Sequence, residues 1–168
     1  MTENNGTDLD IEYDEDDEDT LKDRFLTFKV MNEDYGIEIV RVKEIVGIQD
    51  ITPVPEMPSY IKGVINLRGN VINVVDIRLR FNMQEKEYDE RTCIIIIQVD
   101  DIEVGMIVDN VSEVCVIPEE DIKKNTSLNK TSGNSFIKGL GKLDGKIKMI
   151  LDVEKLLSED ELERIGAE

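Results

Sequence analysis

The chain has no histidine and no tryptophan among 168 residues, only two cysteines and four prolines, and aromatics at 5%. Each scarcity excludes something. Without histidine there is no Ser-His or Cys-His nucleophilic pair, no His-ligated zinc and no ordinary general base near neutral pH. Cys93 and Cys115 are far apart and each sits among apolar neighbours, so both read as small core residues with reduced thiols, and the cytosol is the expected compartment. No apolar run approaches the length of a bilayer span and no basic-apolar leader opens the chain, so direct membrane insertion is not expected. Phosphate-cradling loops are missing as well. Gly139-Leu-Gly-Lys is only a superficial match, and no cofactor is expected.

Positive charge is also scarce: 20 Lys and Arg stand against 38 Asp and Glu, a formal net charge of −18. A basic footprint for nucleic acid is therefore not expected. Residues 1–23 hold eleven of the acids against Lys22 alone, with little apolar surface to bury, and read as a disordered acidic tail. The rest of the chain, 24–168, is apolar enough to build a folded domain.

What the chain does have is repetition. Tyr60–Phe81 lies over Phe136–Leu157 without a gap, pairing Ile61 with Ile137, Lys62 with Lys138, Gly63 with Gly139, Leu67 with Leu143, Gly69 with Gly145 and Asp76 with Asp152. Phe25–Ile48 lies over Ile94–Ile117 in a second frame, pairing Gly36 with Gly105, Glu44 with Glu113 and Val42 with Val111. One supersecondary unit used twice explains both frames. The halves run roughly from 24 to 88 and from 91 to 157, and a longer polar loop, Glu119–Asn134, absorbs the difference between the frames.

Within each half the period is that of strands. Phe25–Val30 and Tyr35–Ile39 alternate as a hairpin, and Val71–Ile77 is rich in β-branched residues. Thr92–Val99 is a continuous apolar run, as in a strand buried on both faces. Ile39, Val42, Ile45 and Val46 fall at helical spacing and predict a short helix. Asp50–Pro58 carries three of the four prolines, so it reads as a rigid connection rather than a central strand. Ser158–Glu161 has capping-box spacing and predicts a C-terminal helix over 158–166. Taken together, the expected architecture is mainly β: two intertwined, five-stranded SH3-like barrels with short helices, one of them at the C-terminus.

Chemistry-bearing groups are few. Asp76 and Asp152 are repeat partners, which favours a shared backbone-capping task at strand ends over acid-base catalysis. Gly63, Gly69, Gly139 and Gly145 are expected at turns or close approaches. Lys62, Arg68, Arg78 and Arg80 concentrate positive charge in one short stretch of an acidic body. The repeat partner of Arg68 is Asp144, so the duplicated fold does not itself require a cation there. A surface ion pair is the plain reading of Arg68, and a binding role on a loop of a rigid β scaffold is the functional one.

Val54 to Gly69, read as Val-Pro-x-x-Pro-x-Tyr-Ile-Lys-Gly-Val-Ile-Asn-Leu-Arg-Gly, together with Tyr35-Gly-Ile-Glu-Ile, Arg91-Thr-Cys-Ile-Ile and Gly105-Met-Ile-Val-Asp, resembles the CheW family of bacterial chemotaxis coupling proteins. The resemblance spans about Phe25 to Glu161. Asn73 departs from it, since the family usually has proline there. The resemblance implies a non-catalytic adaptor that joins the cytoplasmic tips of methyl-accepting chemotaxis receptors to the regulatory domain of the histidine kinase CheA. It implies a cytoplasmic location in receptor arrays at the inner face of the membrane. By residue, it implies a receptor face at Val42, Glu44, Lys62, Arg68, Val111 and Val114, and a kinase face at Ile51 and Pro53. An apolar groove rimmed by charge suits a receptor's helical hairpin. The span from Met1 to just past the last expected helix, with no kinase or receiver sequence, points to a stand-alone adaptor.

Overall fold

The computed structural model describes residues 21–124 and 136–156. The expected acidic tail up to residue 20 and the helix expected at 158–166 lie outside the described residues.

Among the described residues, eleven strands form two sheets. In chain order they are β1 (Arg24–Val30), β2 (Glu33–Glu38), β3 (Val42–Gly47), β4 (Ile61–Leu67), β5 (Asn70–Asp76), β6 (Cys93–Val99), β7 (Ile102–Val108), β8 (Asn110–Val116), β9 (Ile122–Lys123), β10 (Ile137–Leu143) and β11 (Lys146–Leu151). Single helical turns, Ile77–Arg80 and Val153–Leu156, follow β5 and β11. Asp76 caps the first by accepting from the Leu79 N–H at 3.3 Å. Asp152 accepts from the Glu154 N–H at 3.1 Å. The repeated aspartates thus do the capping expected of them.

The helix expected around Ile39–Val46 is instead a 3-10 turn, Ile39–Arg41, running into β3. The physical reason is a bulge. The β3–β6 register shifts between Val42 and Glu44, which breaks strict alternation and leaves apolar residues at a spacing that imitates a helix. The β-branched side chains of β3 pair with the isoleucines of β6, and that packing decides the conformation.

Four described hairpins close on two-residue turns, and in three of them, Met31–Asn32, Arg68–Gly69 and Asp144–Gly145, φ is positive at both residues: 53 and 69, 53 and 88, and 54 and 79. Positive φ at both central residues is the type I′ geometry, whose twist matches that of paired strands.

Sheet order is β8-β1-β2-β11-β10-β9 in one sheet and β3-β6-β7-β5-β4 in the other. The sheets therefore do not coincide with the repeat units. The first hairpin of each half, β1–β2 or β6–β7, lies in the sheet built by the remaining strands of the other half. Parallel pairs β2–β11 and β5–β7 join the exchanged hairpins to their hosts.

Each sheet curls around its own core. One holds Ile65, Leu67, Ile72, Val74, Ile94, Ile96 and Ile107. The other, smaller, holds Phe25, Cys115, Ile117 and Ile150. Between the two barrels lies the largest cluster, including Leu26, Phe28, Ile37, Ile95, Ile97 and Met106. Alternate residues of β6 feed different cores, so all four of Ile94–Ile97 are at most 2% exposed, as the unbroken apolar run foretells. Burial of each such side chain is worth roughly 1.5–3 kcal/mol.

Candidate functional site

Barrel closure brings two of the expected receptor residues together. β3 and β4 are the outermost strands of their sheet. Glu44 on β3 forms an ion pair with Arg68, at the tip of the β4–β5 hairpin, and the pair ties the two ends of the sheet. The Asn66 side chain accepts from the Gly69 N–H at 2.9 Å and fixes the tip. The Arg68 side chain remains 67% exposed, so its guanidinium is available to a partner while Glu44 orients it.

In the other barrel, the repeat positions of this pair are Glu113 and Asp144, both acidic. The Cys115 thiol registers them. Burial pushes its pKa up, Lys148 acts against that, and Glu113 and Asp144 both push it further up. The same seam therefore carries an attractive pair in one barrel and two carboxylates in the other.

Val42 has to be corrected as a surface residue. It is 3% exposed and belongs to the cluster between the barrels, opposite Ile97 of β6, so its side chain supports the surface from beneath. Val111 is half-buried against the same cluster, whereas Val114 is 46% exposed. Sequence reasoning missed Ile45, which packs partly buried on that cluster from β3, and Val116, exposed two residues beyond Val114 on β8. For Ile45 the signal was the strand pattern of β3, obscured by the apparent helical spacing of Ile39–Val46; for Val116 it was the strand pattern of β8. β3 and β8, edge strands of different sheets, thus both carry apolar side chains on the margin of one central core.

Lys62 sits elsewhere. Its ammonium pairs with Glu85 at 2.5 Å and lies 5.9 Å from the centre of the Tyr88 ring. With Ile51, Pro53, Met57 and Tyr88 it lines an open cavity of about 510 Å³. The structure therefore groups Lys62 with the two expected kinase-facing residues, not with the Arg68–Glu44 seam. Tyr88, which the polar junction 84–91 concealed, is the organiser of this cavity. Its hydroxyl donates to Asp76 at 2.6 Å, and burial followed by that bond pushes its pKa far up, so the phenol stays protonated. A lone aromatic within a charged run was the available signal.

Gly63 makes the cavity wall possible. A Cβ there would stand 2.1 Å from the Thr52 carbonyl oxygen, because Thr52 bridges to Val64. That bridge holds the proline segment against β4.

The burial of Cys93 and Cys115 pushes both thiol pKa values up, which disfavours thiolate chemistry at either.

Comparison with known proteins gives a consistent picture. The family model described as the CheW-like domain matches residues 24–161. The chain is 38% identical over 144 residues to the chemotaxis protein CheW of Klebsiella aerogenes, covering 86% of this chain and 87% of that one. To the Bacillus subtilis chemotaxis protein CheW it is 36% identical over 138 residues, covering 82% and 88%. Among solved structures, the scaffolding protein TtCheW of Thermoanaerobacter tengcongensis superposes with a TM-score of 0.74 at 33% identity, covering 81% of this chain and 92% of that one.

Proposed function

Since the chain belongs to the CheW-like domain family of chemotaxis scaffold proteins, we propose that it couples receptor cytoplasmic tips to the histidine kinase CheA without catalysing a reaction. Its place of work is the cytoplasmic face of receptor arrays, and it docks there through protein contacts alone. No described helix is long and apolar enough to cross a membrane.

The observation that carries this reading is the separation of two chemically different surfaces. The first comprises the exposed Arg68, oriented by Glu44 of β3, Ile45 and Val111 at the margin of the central core, and the exposed Val114 and Val116 of β8. It suits the receptor's helical hairpin: an apolar stripe on a helix covers the valines, and an acidic residue meets the guanidinium. The second is the cavity of Ile51, Pro53, Met57 and Tyr88, with Lys62 at its side. It suits the kinase regulatory domain, which would insert an apolar anchor there.

Calorimetric titration of Arg68→Glu against a receptor-tip fragment and the kinase regulatory domain tests the assignment. Arginine anchors are worth about 2 kcal/mol or more. Receptor affinity should therefore fall about thirtyfold. The exposed ion pair contributes at most about 1 kcal/mol to stability, so thermal unfolding should hardly move. Kinase affinity should hold, and Pro53→Glu should show the converse. Wild-type receptor affinity in the Arg68 variant would overturn the receptor assignment.

A further inference from the structure

Lys62 and Lys138 are repeat partners, and each pairs with a glutamate, Glu85 in one half and Glu38 in the other. Their surroundings differ. Lys138 lines a cavity of about 220 Å³ together with Glu38, Arg41, Asp152 and Glu154, where charges of both signs offset one another and Arg41 pairs with Glu154. Lys62 is the one cation lining the larger cavity, whose apolar walls include Ile51, Pro53, Met57, Ile61 and Tyr88, with Asp50 as the one acid.

The Lys62 ammonium is held from two sides, and the two holds are unequal. It lies 5.9 Å from the centre of the Tyr88 ring, and the Tyr88 hydroxyl is anchored on Asp76, which is 2% exposed. The carboxylate of Asp152, the repeat partner of Asp76, accepts from the Glu154 N–H alone among the described residues, so the duplicated turn does not itself require a phenol. Between Gln84 and Arg91 every residue except Tyr88 is exposed. Glu85 therefore reaches Lys62 from a segment that buries no other side chain, and its own is 57% exposed against 26% for Lys62. Unlike Lys62, Glu85 does not line the cavity.

An ammonium has three N–H donors, and Glu85 takes one among the described residues. An apolar group that closes the cavity strips water from the others, and a desolvated cation needs a counter-charge. We propose that this cavity selects an apolar anchor flanked by a carboxylate: the anchor enters between Pro53, Met57 and Tyr88, and the carboxylate takes the Lys62 ammonium in competition with Glu85. Tyr88 is the positioning residue, since its bond to Asp76 holds the ring and the ring holds the ammonium at the cavity. This rests on the kinase-facing assignment of the cavity and names what the regulatory domain presents to it.

Calorimetric titration of the full chain with the kinase regulatory domain tests it. Glu85→Gln removes the competitor and should tighten binding about threefold. Glu87→Gln, at an exposed neighbour that does not line the cavity, should change it less than about twofold. Lys62→Met should weaken binding about tenfold and erase the gain from Glu85→Gln. Tyr88→Phe keeps the ring but not the bond to Asp76. It should weaken binding about threefold and move the NMR signal of the Lys62 ε-methylene, which the ring current displaces. A purely structural tyrosine would lower the melting temperature and move neither. Pro53→Glu separates the two levels: if it leaves kinase affinity intact, the kinase-facing assignment falls and the proposal with it. If Pro53→Glu weakens binding but Glu85→Gln behaves like Glu87→Gln, or Lys62→Met binds as wild type, the proposal alone is overturned. An unmoved Lys62 signal in Tyr88→Phe overturns the positioning role.

Discussion

The hairpin tips Arg68–Gly69 and Asp144–Gly145 have nearly the same backbone, with φ of 53 and 88 in one and 54 and 79 in the other. Their charges are opposite. The left-handed first position favours Asp and Asn, which tolerate it, so Asp144 is the residue the turn itself prefers. Arg68 is not. The turn therefore does not account for Arg68; its contact with Glu44 and its outward guanidinium do. Where two copies of one unit are held to the same geometry, the residue that departs from the local preference marks the position serving something besides the fold.

The comparison breaks most forcefully at the other pair of repeated glycines. At Gly63, φ is +145 and an added Cβ would meet the backbone of Thr52 at 2.1 Å. At Gly139 the first obstacle is a methyl of Ile122 at 2.5 Å, a side chain able to shift, with the Lys123 carbonyl next at 3.2 Å. Gly63→Ala should cost more than about 3 kcal/mol and Gly139→Ala about half as much. Equal losses in equilibrium denaturation would show that the two close approaches are equally rigid.

At the tips, Asp144→Lys is the partner experiment to Arg68→Glu. Both reverse a charge at the same turn position. Only Arg68→Glu should weaken receptor binding by about 2 kcal/mol, with Asp144→Lys changing it less than about twofold. A comparable fall in both would mean that the receptor reads overall charge rather than one guanidinium.

A third contrast lies in the ion pairs beside the helical turns. Arg78 and Glu154 are repeat partners of opposite charge, one in each helical turn, and each holds an ion pair, Arg78 with Asp109 and Glu154 with Arg41. Burial pushes Asp109 up, but the Arg78 guanidinium and the Met31 N–H outweigh it and hold the carboxyl below its usual range. A depressed folded pKa means that the contribution is complete above the unfolded value, near 4, and is lost as pH falls through the folded one. Asp109→Asn should cost about 1–3 kcal/mol at neutral pH. Its penalty should shrink as melting is followed below about pH 4. A penalty constant with pH would exclude the pair as its source.

The smallest effect runs in the opposite direction. Arg68→Asn gives the turn a preferred residue and should raise stability by a few tenths of a kcal/mol. Receptor binding should fall all the same. A loss of stability in thermal unfolding would show that the Glu44 pair outweighs the turn preference.

Much of this architecture was legible beforehand, for reasons tied to particular residues. Repeated glycines and aspartates announced two copies of one unit because turns and caps constrain residue type locally. The run Ile94–Ile97 announced a strand buried on both faces. What stayed hidden was which strands pair, since a period of two says that a strand has an inside but not whose inside it is. The exchange of β1–β2 with β6–β7 left no local trace. Bulges hid the rest: the shift at Val42–Glu44 disguised β3 as a helix and Val42 as a candidate surface residue. A second, between Ile61 and Gly63, lies at Lys62, which the structure groups with the proline-segment cavity. Asn73 buries a side-chain oxygen with no hydrogen-bond partner.

The strand exchange also sets a schedule for synthesis. The sheet containing β3 to β7 can close once Val108 has left the ribosome. The first hairpin made, β1–β2, has no complete sheet to join until β10 and β11 arrive; the Asp34–Lys148 contact spans 114 positions. Until then Leu26, Phe28, Val30 and Ile37, all fully buried in the finished molecule, have no permanent cover. Chains at that stage are open to trading hairpins with one another, so newly made copies run the risk of interlocking before each completes itself.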